Sequence, residues 1–153
     1  MQPNLQTAFR HGVDRSGPNG AIRLVPDAEL QQKAERPFFS ETMAVSPGEI
    51  RVSALDLNQD EGAIEQPYVP TLRIGTPLFQ PDGKPFGIVI VNVDMRPAFD
   101  RVRASVRQGG AIYAVGSRGD YFVHPDRSRE FGSDLGRPYD WRKDFPDLAP
   151  LIG

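Results

Sequence analysis

Arg36 and Asp94 are the two residues of this chain whose type and setting best suit recognition chemistry. Arg36 opens the run Arg36-Pro37-Phe38-Phe39, and a guanidinium there can clamp a carboxylate with two parallel hydrogen bonds. The bland alternatives are a surface position or an ion pair with Glu35 or Glu41. Asp94 ends the apolar run Gly87-Ile88-Val89-Ile90-Val91-Asn92-Val93-Asp94. Asn92 and Asp94 thus appear where burial ends, and a carboxylate at a pocket mouth accepts from an amine or hydroxyl. Asp94 could equally cap the helix that starts near Pro97. Phe39 and Tyr68 are aromatics suited either to a pocket wall or to the core.

Arg73 lies amid apolar residues, and its role depends on register. If Gln80 pairs with Lys84 around a three-residue loop, Arg73 falls opposite Val91 and points away from the face of Asp94. A bulge that shifts pairing by one residue places it opposite Asn92, near Asp94. Both registers stay open in the sequence. His124-Pro125-Asp126 offers one imidazole and one carboxylate, too few for a metal site or a general base. A turn is the expectation there. No nucleophile, base and orienting group stand in recognisable spacing, so no catalytic residue is expected. Cysteine is absent, which removes disulfides and thiolate metal sites. No glycine-rich phosphate loop is present, and neither a metal nor a cofactor is expected.

The elements that must position these residues are short. With 153 residues, 39% apolar content, and glycine and proline at 15 each, the expectation is α+β with many turns. A net charge of −2 offers nucleic acid no electrostatic attraction. No apolar run approaches the ~18 residues of a membrane span, and the N-terminus lacks the basic and apolar regions of a signal peptide. Expected strands are Thr7–Val13, Ala21–Val25, most of Glu49–Asp56, Leu72–Phe79 and Phe86–Val93. Pro81-Asp82-Gly83 makes the turn between the last two. Residues 14–20 read as a loop and 58–66 as a polar connection. Helices are expected at 27–33, at 38–44, from Pro97 to about Val106 with Phe99, Val102 and Val106 on one stripe, and as one turn at 144–148. Arg101, Arg103 and Arg107 read as a solvated face. Gln108-Gly109-Gly110 reads as a linker, followed by a second hairpin, Ala111–Val115 and Asp120–His124.

Several motifs in this order carry a family resemblance: Arg36-Pro37-Phe38-Phe39, then Pro47-Gly48-Glu49-Ile50-Arg51-Val52-Ser53, then Thr71–Phe79, then Gly119-Asp120-Tyr121-Phe122-Val123-His124-Pro125-Asp126. Together they resemble the extracytoplasmic Cache sensor domains, PAS-like modules of bacterial histidine kinases and chemoreceptors. The resemblance covers roughly residues 20–148. It implies a PAS-like central antiparallel sheet flanked by helices, with the start of a second similar unit. Residues 1–108 would be the membrane-distal unit without its stalk helix, and 109–153 the beginning of an incomplete second one. One branch of the family binds amino acids through a Tyr, an Arg-x-Trp-Tyr motif, a later Tyr and an Asp. Arg36 and Asp94 match its Arg and Asp, and Tyr68 its later Tyr. Gln31, Phe38 and Phe39 replace the other Tyr, the Trp and a Tyr, so two phenol hydroxyls are missing and an amino-acid ligand is disfavoured.

The function implied is non-catalytic sensing. A small molecule, an organic acid or an amine, would be held by Arg36, Phe39, Tyr68, Arg73, Asn92 and Asp94 and would bias the domain between two states. The parent would be a membrane-anchored receptor of a two-component or related system, with this part periplasmic or extracellular. Unpaired strand edges at residues 111–124 invite a second copy, hence a homodimer. The competing readings are a dimerisation module without ligand and a small hydrolase using His124.

Overall fold

Proline and glycine cut this chain into short elements. The computed structural model describes residues 13–14, 23–29 and 33–151. In chain order, β1 (Val13–Asp14) pairs antiparallel with β2 (Arg23–Leu24). Then come α1 (Pro37–Met43), β3 (Arg51–Val52) and β4 (Asp56–Leu57). The small antiparallel pair β5 (Gln59–Asp60) and β6 (Ala63–Ile64) follows, then the long strands β7 (Pro70–Phe79) and β8 (Pro85–Asp94). After them come α2 (Arg96–Ala104), the pair β9 (Ala114–Val115) and β10 (Tyr121–Val123), and α3 (Trp141–Asp144). This is the α+β class, with antiparallel pairing and few helices, that the sequence led one to expect.

The β7–β8 turn follows its residues. Gln80 N–H donates to the Lys84 carbonyl at 2.8 Å, Gly83 N–H donates to the Gln80 carbonyl at 2.8 Å, and Gly83 takes φ +81°. A side chain at that φ would be strained, which is why glycine stands there. The Gln80–Lys84 pairing is the simple three-residue loop of the two alternatives. On the other edge of β7, β3 and β4 both pair antiparallel with it, but not as one strand. Arg51 faces Gly75 and Val52 faces Ile74, whereas Asp56 faces Thr71 and Leu57 faces Pro70. Continuing the first register would set Pro70 opposite Asp56, so a one-residue bulge separates the two pieces. Ser53 fills the break: its N–H donates to the Arg73 carbonyl at 2.8 Å, and its Oγ accepts the Arg73 N–H at 3.0 Å. The single strand expected over 49–56 is therefore two short ones.

Other elements differ in extent. The helix expected at 27–33 is a 3₁₀ turn, Asp27–Glu29, with no buried residue; residues 30–32 lie outside the described residues. Of the strand expected at Thr7–Val13, only Val13 is described, and of the loop at 14–20 only Asp14. Within the span 144–148 expected as one helical turn, a turn is closed by the Leu148 N–H donating to the Phe145 carbonyl at 3.1 Å; the helix α3 precedes it, capped by Asp140, whose Oδ1 accepts the Arg142 N–H at 3.1 Å. The connection at 58–66 holds the β5–β6 hairpin, whose turn residues Glu61 and Gly62 both take positive φ, 46° and 81°.

Two compact units result. The first comprises residues 1–53 and 73–91, the second 54–72 and 92–153. In the first, α1 lies over β7, with Thr42 buried against Gly75. In the second, Leu57, Phe99, Val123 and Phe131 form the core, with Leu55, Met95, Val102, Ile112 and Phe122 packed around it. Phe99 and Val102 come from the apolar stripe of α2. Arg103 departs from the expected solvated face. Its guanidinium reaches both Glu130 oxygens at 2.8 Å, with side-chain exposures of 22% and 12%. Gly109 takes φ +80° and ends the segment after α2, and residues on both sides of it contribute to this second core.

Candidate functional site

Pro37 is the first residue of α1, and it holds Arg36 extended at φ −73°, ψ 136°. The Arg36 carbonyl accepts the Phe39 N–H at 2.9 Å, so the backbone is fixed while the side chain is free to turn inward. Its guanidinium carbon lies 6.0 Å from the centre of the Phe38 ring. Its Nε is buried with no hydrogen-bond partner. Arg73, on β7, reaches the same ring at 5.1 Å and is 3% exposed. The alternation of β7 explains this burial. From Thr71 on, Thr71, Arg73, Gly75 and Pro77 are buried, while Leu72, Ile74 and Thr76 are half-buried; Pro70, at the strand's start, is buried too. The first unit thus gathers two guanidinium groups around one aromatic ring. Glu41, a possible partner for Arg36, is instead paired with Arg51 at 2.9 Å. Two cations in a partly desolvated site favour an anion, and planar guanidinium suits a carboxylate. Phe39 is half-buried on the same helix.

Tyr68, Asn92 and Asp94 belong to the second unit. Tyr68 is 42% exposed and Asn92 is exposed. Asp94 is engaged by Arg96. Its Oδ1 accepts from the Arg96 backbone N–H at 2.9 Å and from Nε at 3.0 Å, and its Oδ2 accepts from Nη2 at 2.6 Å. Partial burial opposes ionisation of Asp94, but the Arg96 side chain, its backbone N–H and its charge outweigh that, holding the carboxyl below the usual range. Of the six residues singled out in the sequence, the structure brings Arg36 and Arg73 to one ring and places Phe39 on the same helix. The sequence reading missed Phe38 as the shared platform, although its place two residues after Arg36 was the available signal.

His124 sits in a turn. Its Nδ1 lies 3.0 Å from the Asp126 carbonyl and its Nε2 lies 3.4 Å from Arg129. The Asp126 N–H also approaches Nδ1, at 2.9 Å, so both backbone polar groups of Asp126 hold the ring in place. Nearby, the buried Tyr121 hydroxyl donates to Asp144 at 2.6 Å. Burial and then that carboxylate push the phenol well above its usual range. The Tyr121 hydrogen bond, followed by Arg129, holds Asp144 below the usual range against the effect of burial. Arg129 also lies over the rings of Tyr121 and Tyr139, at 5.3 and 4.8 Å. These contacts fasten α3 to β10 and include no exposed nucleophile. Among the described residues no group of His, Cys, Asp or Glu could hold a metal ion, and no helix is long and apolar enough to cross a membrane.

Residues 20–150 match the family model described as the sensor domain of bacterial histidine kinases. No curated protein gives a match. Among solved structures, the chain is similar to the domain of a putative sensory box/GGDEF family protein from Vibrio parahaemolyticus, with a TM-score of 0.76 and 21% identity over 94% of this chain and 54% of that one. It is also similar to the extracellular domain of the putative histidine kinase vpHK1S-Z8, with a TM-score of 0.67 and 25% identity over 84% of this chain and 47% of that one. The chain therefore spans about half the length of the solved structures it matches.

Proposed function

Because the chain belongs to the family of bacterial histidine kinase sensor domains, we propose that it is a non-catalytic ligand-sensing part of a membrane-linked receptor, facing the periplasm or the exterior. The ligand is a small molecule with a carboxylate, held in the first unit by Arg36 and Arg73 beside Phe38 and Phe39. The observation that supports this is the pair of guanidinium groups around the Phe38 ring, one with a buried Nε awaiting an acceptor. A buried donor without a partner costs about 1–3 kcal/mol, so an incoming carboxylate relieves a cost already present. The ligand shifts the domain between states only by its differential affinity for them. That shift reaches a kinase, cyclase or chemotaxis output.

Tyr68, Asn92 and Asp94 are proposed as ligand contacts on sequence grounds. For Asp94, a ligand amine would share the carboxylate with Arg96. The tandem layout, with 1–108 as the distal unit and 109–153 opening a second one, is part of the same proposal, as is pairing of two copies through residues 111–124. A thermal-shift screen of organic acids, amines and amino acids tests the reading. A ligand at 100 times its dissociation constant adds about 2.7 kcal/mol, which shifts the melting temperature of a domain this size by several degrees. Stabilisation by carboxylates, lost in Arg36→Gln, is expected. Stabilisation by none of them would leave the reading of a dimerisation module without ligand. Light scattering at high concentration addresses the dimer, and a strict monomer would contradict it.

A further inference from the structure

We draw no further inference here: the strongest candidate, the surface patch of exposed apolar residues Ile50, Val52, Val89 and Val91 on and beside β3 and β8 of the first unit, is an unpartnered apolar face, and nothing in the structure shows what covers it.

Discussion

Asp134 is a carboxylate held where its own charge is unwelcome. Burial opposes ionisation, the Leu57 N–H partly compensates, and Asp56 and Asp120 add like charge, so its folded pKa is raised. A raised folded pKa means that the native state binds the proton more tightly than the unfolded chain does. Its contribution to stability is then fully present below the unfolded value, about 3.9, and is lost as pH rises through the folded one. Asp134→Asn keeps an acceptor for Leu57 and removes the charge. Melting at pH 7 should therefore occur at a higher temperature in the variant than in the wild type, with the advantage fading toward about pH 4. An equal gain at both pH values would show that charge is not the cause. At this scale the sequence was legible only in part. Arg36 and Arg73 were singled out as cations in apolar settings, and both meet the Phe38 ring. Asp94 was read as pocket or cap, and its oxygens are engaged by Arg96, a residue two positions away whose reach no periodicity reveals. Asp120 and Asp134 carried no signal, because their burial comes from elements distant in sequence.

The packing of α1 on β7 depends on Gly75 having no side chain. A Cβ there would lie 2.9 Å from Thr42 Cγ2 and 3.0 Å from its Oγ1, with the Val89 carbonyl at 3.3 Å. Gly75→Ala should destabilise the fold by about 1–3 kcal/mol through overpacking. Adding Thr42→Ala removes both close atoms and should recover part of the loss. Denaturant titration of the double-mutant cycle checks this, and simple additivity of the two changes would contradict the contact. The second unit rests on its core instead. Leu57 is 1% exposed, and Leu57→Ala should cost about 2–5 kcal/mol. A loss within 0.5 kcal/mol, typical of surface sites, would show that Leu57 is not at the centre of that core. The long hairpin was legible because proline, glycine and an unbroken β-branched run mark it locally. The break between β3 and β4 was not, because Ser53 replaces a ladder bond with a side-chain one. The β5–β6 hairpin was missed because Glu61-Gly62 is a weak turn signal beside Asn-Gly or Asp-Gly.

For the whole molecule, the antiparallel α+β class and the sensor family were accessible from the order of motifs, since that order survives where single motifs are weak. The grouping of residues 54–72 with 92–153 was not, because contacts between distant segments leave no local pattern. What the family leaves open is the ligand; a carboxylate is the one proposed here, on the ground that two guanidinium groups of the first unit converge on one ring. The most direct measurement is isothermal titration of the carboxylate that stabilises the chain best, into the wild type and into Arg36→Gln. Removing a charge-assisted hydrogen bond costs about 1.5–3 kcal/mol, so the dissociation constant should rise by roughly 10- to 100-fold, with the unliganded melting temperature no lower than that of the wild type. Equal affinity in the two proteins would contradict carboxylate recognition by Arg36.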